Sequence, residues 1–188
     1  MATSPRILAF AASARRESLN RKFLSLGVEA ARKAGAEVTL LDLNDFEMPI
    51  FHGDLEEAQG LPANTVRLVE LITAHHALLV ASPEYNNMFT PLFKNTIDWC
   101  TRADGNPFEG KVAAVMSASP GIHGGVRSLQ LAQQLLLKLG CHVVPAQCIL
   151  PHAESAFDAQ GNPKDPHVRG SAQALVAKLL LTTARLIG

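Results

Sequence analysis

Five short apolar runs, at Arg6 to Ala12, Val38 to Leu43, Ala77 to Ser82, Val112 to Ser117 and His142 to Pro145, carry no clean polar alternation. A strand wetted on one face alternates, so runs of this kind belong to strands covered on both faces. Segments of helical length follow them in turn: Asn20 to Ala34, Thr65 to Ala74, Pro91 to Cys100, Gly125 to Leu139 and Ser171 to Leu186. Gly35 stands where the first should stop, and Pro91 opens the third at a position whose N–H has no helical partner anyway. Strand and helix in strict alternation imply parallel strands joined by right-handed crossovers, with helices on both faces. The expected class is α/β, a three-layer, doubly wound, parallel five-stranded sheet. At 188 residues the order 2-1-3-4-5 is expected over the six-stranded dinucleotide-binding order, in a single domain spanning 1–188. Two loops are long, 44–64 and 151–170; the first reads as a lid or a subunit contact, the second as a surface wrap.

In such a sheet the ligand sits outside the carboxyl ends of the strands, where the strand order reverses. Three loops reach that edge. The first, Ser13 to Asn20, has neither G-x-G-x-x-G nor a G-K-[ST] signature, which excludes a dinucleotide fingerprint and a P-loop. Ser13, Ser18 and Asn20 supply neutral donors, Arg15 can grip two oxygens, and the helix behind them offers free N–H groups: a set suited to a monophosphate. Helix capping by Ser18 or Asn20 accounts for those two residues equally well. The second loop, Pro83-Glu84-Tyr85-Asn86, places a ring and an amide where a planar heterocycle would lie, although the same residues suit an ordinary turn. The third runs from Ser117 and Ser119 through Gly121, Gly124 and Gly125, and its glycines let backbone approach a flat ring.

Lys plus Arg and Asp plus Glu both number 17, so no global field selects nucleic acid or an anionic membrane. The apolar runs are too short to span a bilayer, and the first meets Arg15 and Arg16 at once, unlike a secretory leader. Cys100, Cys141 and Cys148 form no C-x-x-C pair and read as buried hydrophobes. His75 and His76 are adjacent, diverge on any regular element, and do not read as metal ligands. These features predict a cytoplasmic protein without a metal.

The motifs S-x-R-x-x-S-x-N (Ser13 to Asn20), P-E-Y-N (Pro83 to Asn86), K-N-x-I-D-W (Lys94 to Trp99), P-F-x-G-K (Pro107 to Lys111) and S-P-G-x-x-G-G-x-R (Ser119 to Arg127) follow one another at the expected strand ends. In this the chain resembles the NAD(P)H-dependent FMN reductases, which include quinone, azo-dye and chromate reductases. The resemblance implies a flavodoxin-like fold, FMN as cofactor, NADPH or NADH as co-substrate, a small electron acceptor and a homodimer or homotetramer with the flavin near the interface. It also implies that Ser13, Arg15, Ser18 and Asn20 hold the phosphate. Pro83, Glu84, Tyr85 and Asn86 would hold the ribityl chain and one ring edge, and Ser117, Ser119, Gly121 and Gly124 the other edge. Ala12 replaces a common glycine, and Pro91 lies one place later than usual, behind Asn87, Met88, Phe89 and Thr90. Lys94, Asp98 and Trp99 read as packing residues and Arg127 as a solvated helix residue. The flavin would carry the redox chemistry, so no acid-base dyad is required. The rival readings are a flavodoxin-type electron carrier and a non-catalytic flavin-binding sensor.

Overall fold

The computed structural model describes residues 4–187; the first three residues, on which the reading of the amino terminus partly rests, lie outside them. Strands β1 (Arg6–Ala11), β2 (Glu37–Leu41), β3 (Ala77–Ala81) and β4 (Val112–Ala118) are parallel and stand in the order β2-β1-β3-β4. The fifth position differs from expectation. Instead of one strand over 142–145 it holds two short ones, β5 (His142–Val143) beside Val112 and Ala113, and β6 (Cys148–Leu150) beside Met116 to Ala118. Pro145 explains the gap, because proline has no N–H to give a ladder and is confined to strand ends and edges. With β5 in fifth place the path is β2-β1-β3-β4-β5, the flavodoxin-like order.

Each strand's residues divide between two cores. Ile7, Ala9 and Ala11 of β1 face α1 (Leu19–Lys33) and α6 (Pro166–Leu186), where Phe23, Leu24, Leu175, Val176 and Leu179 are buried. Leu8 and Phe10 face α3 (Ala63–Ala74), α4 (Pro91–Cys100) and α5 (Val126–Lys138), with Leu68, Ile72, Phe93, Ile97 and Leu129. Period two in the strands thus explains why the apolar runs are unbroken: both alternating sets are covered.

Helix α1 starts at Ser18, whose Oγ accepts from the Arg21 N–H at 3.3 Å. It stops at Gly35, with φ 86°, where Ala36 N–H reaches back to the Ala31 carbonyl at 3.1 Å. Helix α6 begins five residues before Ser171, since Asp165 caps His167 N–H at 2.9 Å and Pro166 fits the first turn. The 44–64 segment is not a free loop. It holds a 3-10 turn (Leu43–Phe46) and α2 (Gly53–Gln59), and it is tied to α4: Trp99 Nε1 donates to the Pro49 carbonyl at 2.7 Å, and Phe51 N–H to Asn95 Oδ1 at 2.8 Å. Trp99 is fully buried, as expected of a packing residue, whereas Lys94 and Asp98 form an ion pair one turn apart on the helix surface. Among the described residues no helix is long and apolar enough to cross a membrane.

Candidate active site

Loops one, two and three leave the carboxyl ends of β1, β3 and β4, whose registers place Ala11 beside Ala81 and Ala81 beside Met116. They enclose a cleft lined by Ser13, Arg15, Ser18, Leu19, Asn20, Pro83, Glu84, Tyr85, Ala118, Ser119 and Pro120. Eight of these were expected from the sequence, and the fold brings them together from three distant segments.

At one end stands α1. The N–H groups of Leu19 and Asn20, the first two of the helix, meet no protein acceptor among the described residues, because the first turn of a helix has no preceding carbonyls to bond. Ser13 Oγ accepts from the Arg15 N–H at 3.3 Å, and the Arg15 guanidinium, exposed, has no ion-pair or hydrogen-bond partner among the described residues. Arg21 braces the loop from outside: it donates to the Ser13 carbonyl at 3.2 Å and pairs through both terminal nitrogens with Asp42. Asn44 holds the next carbonyl, that of Ala14, at 3.3 Å. Asn20 is buried and its amide clamps Ala118, donating to the carbonyl at 2.7 Å and accepting from the N–H at 2.9 Å. That clamp sets the spacing between loops one and three.

Loop two is a tight hairpin. Tyr85 and Met88 exchange backbone hydrogen bonds at 2.9 and 3.0 Å, and Asn86 and Asn87 between them have φ 51° and 66°, the pattern of a type I′ turn. This accounts for the displaced Pro91: the turn takes two asparagines, and Thr90 then caps α4 through Phe93 N–H at 3.2 Å while donating to the Ala12 carbonyl at 2.8 Å. Tyr85 and Met88 are half-exposed on the rim, whereas Phe89 packs edge-on against Phe93, ring centroids 5.6 Å apart. Asn86 sits at the tip of the turn, exposed and outside the lining.

The structure gives other expected residues a different place. Ser117 is fully buried and donates to the Ser82 carbonyl at 2.7 Å, beneath the cleft and not on its wall. Gly124 is buried against residues 150–151, and Gly121 lies just beyond the lining at Pro120. Arg127 is not simply solvated: its Nη1 donates to Asn87 Oδ1 at 3.2 Å and lies 3.7 Å from Glu84 Oε1. The network of Ser82, Ser117 and Ser128 under the loops had no motif to announce it. None of the three cysteines lines the cleft, and burial pushes the Cys100 and Cys141 thiols up to about 12 and Cys148 to about 11.

The profile of the family described as NADPH-dependent FMN reductase matches residues 5–155. Over the whole of both chains, 189 aligned residues, this one is 33% identical to an NAD(P)H-dependent FMN reductase of Pseudomonas aeruginosa. It is 33% identical over 156 residues, 81% of each chain, to a quinone reductase of Pseudomonas putida. Among solved structures, FerB from Paracoccus denitrificans, a flavoenzyme NAD(P)H:(acceptor) oxidoreductase, superposes with a TM-score of 0.80 at 31% identity over 97% of each chain. With this fold, these three loops and these relatives, the chain belongs to the NADPH-dependent FMN reductase family and is a flavin-dependent NAD(P)H oxidoreductase.

Proposed function

We propose that the three-loop cleft holds FMN with its phosphate on loop one, and that the acceptor is a quinone or a similarly flat small molecule. The observation that carries this reading is the donor set at the amino end of α1: the Leu19 and Asn20 N–H groups, the Ser13 and Ser18 hydroxyls, and the Arg15 guanidinium, none of the N–H groups or the guanidinium having a protein partner among the described residues. A phosphomonoester dianion fits such a set. The one carboxylate in the lining, Glu84, stands on the opposite loop. Pro83, Tyr85, Ser119 and Pro120 offer two walls for a planar ring.

Held by loop one and the walls of the cleft, FMN would supply the redox chemistry between nicotinamide and acceptor. The protein's part is placement. The Asn20 clamp and the Arg21 and Asn44 braces hold loop one before any ligand arrives, which lowers the ordering cost of binding. Half-exposed Tyr85 and Met88, with exposed Ile122, leave an apolar rim over which donor and acceptor rings can lie in turn. The same rim suits a second copy of the chain, and we place the enzyme in the cytoplasm as a homodimer or homotetramer.

Purified protein loaded with FMN should oxidise NADH or NADPH faster when a quinone is added. Because donor and acceptor take turns on one face, double-reciprocal plots at several quinone concentrations should give parallel lines; intersecting lines would contradict the shared-face reading. Sedimentation at micromolar concentration should show the oligomer, and a monomer would remove the interface part.

A further inference from the structure

Loops two and three are joined beneath the cleft by a continuous hydrogen-bonded network. Glu84 Oε2 accepts from the N–H groups of Arg127 and Ser128 at 3.0 and 3.1 Å, two donors in the first turn of α5. Ser128 Oγ donates to the Pro83 carbonyl at 2.8 Å and lies 2.9 Å from Ser82 Oγ, and both hydroxyls are fully buried. Helix α1 thus begins in the lining of the cleft, whereas α5 begins behind Glu84, which lines it. In α1 the Leu19 and Asn20 N–H groups are open among the described residues and Arg21 is capped by Ser18, whereas in α5 the Arg127 and Ser128 N–H groups are taken by an internal carboxylate.

We propose that Glu84 is a positioning residue whose carboxylate latches loop two onto α5 and whose charge, set against Arg127, tunes the reduction potential of FMN in the cleft. The inference rests on the FMN-binding reading above. Two physical facts support it. Glu84 lines the cleft with its side chain only 14% exposed, so its charge is weakly screened by water. Reduction adds negative charge to the neighbouring ring, which a nearby carboxylate disfavours and a nearby guanidinium favours. The α5 dipole and Arg127 offset the carboxylate, and the balance between them sets the potential.

Four proteins test it: wild type, Glu84→Gln, Glu84→Ala and Arg127→Met, each prepared as apoprotein, titrated with FMN by fluorescence quenching, and then poised against a reference dye. Glu84→Gln keeps an oxygen for the two N–H groups and loses the charge, so its Kd should stay within about threefold of wild type. Its potential should rise, by about 30 mV for a tenfold gain in the relative affinity for reduced FMN. Glu84→Ala loses the acceptor as well, and its Kd should rise about tenfold or more. Arg127→Met removes the offsetting cation and should lower the potential. An unshifted potential in Glu84→Gln, or wild-type affinity in Glu84→Ala, overturns the proposal. Should Glu84→Ala fail to fold, the opposite signs in Glu84→Gln and Arg127→Met decide, and shifts of one sign overturn it. Failure of wild type to bind FMN would overturn the cofactor reading and the latch together, whereas normal wild-type binding with unshifted variants overturns the latch alone.

Discussion

Gly124 has φ 58°, and a Cβ there would lie 2.9 Å from the Pro151 nitrogen and 3.1 Å from the Leu150 carbonyl carbon, both backbone atoms that cannot turn aside. Gly124→Ala combines left-handed strain with overpacking and should cost about 2 kcal/mol or more, read as a lower urea midpoint. His76 makes a second prediction. Its Nδ1 accepts from the Arg6 N–H at 3.1 Å, which requires a neutral ring, and burial first, then the charges of Arg6 and Lys111, hold its pKa below the ordinary 6.5. The unfolded chain therefore binds this proton at a higher pH than the folded one. The contribution to stability is fully present above 6.5 and is lost as pH falls through the lowered folded value. Urea midpoints should fall between about pH 7 and pH 5, more steeply in wild type than in His76→Gln. Equal slopes would remove His76 as the cause.

At the scale of elements, the type I′ hairpin decides where loop two can reach. Asn86→Gly keeps the left-handed geometry and should leave stability near wild type, whereas Asn86→Val should cost about 1 kcal/mol or more. Thermal unfolding separates the two, and equal Tm values would argue against the turn's role. Helices α1 and α4 were legible because Gly35, Ser18 and Pro91 are stop and start signals with local causes; the Thr90 cap was not read from the sequence. The broken fifth strand was not: Val144 to Gln147 interrupts pairing through one proline, and its continuation at Cys148–Leu150 is too short to stand out as an apolar run. The loop-one residues were legible as a group lining one cleft because hydroxyls and an arginine before a helix have a chemical meaning by themselves. Ser117 and Gly124 carry no such mark. Their motif placed them near the cleft, while side-chain direction, which no motif records, turned Ser117 toward the Ser82 carbonyl.

Over the whole molecule, sequence patterning foretold the sheet because both faces of every central strand are covered, and the site followed from the sheet, since three strand ends can meet only at the edge where the order reverses. What patterning could not supply is the bracing between loops, made by residues far apart in the chain such as Asn20 with Ala118 and Thr90 with Ala12. The same coverage buries Cys100, Cys141 and Cys148, so a thiol reagent should label native protein slowly at neutral pH and rapidly in urea; fast native labelling would show that one of the two cores opens. In the proposed function, loop one and the start of α1 grip the phosphate of FMN. Titrating the apoprotein with FMN and with riboflavin, in wild type and Arg15→Ala, tests it most directly. Wild type should prefer FMN strongly, and Arg15→Ala should lose about 1.5 to 3 kcal/mol of FMN affinity while riboflavin binding stays the same. Equal wild-type affinity for the two flavins, or equal losses for both in Arg15→Ala, would contradict the claim.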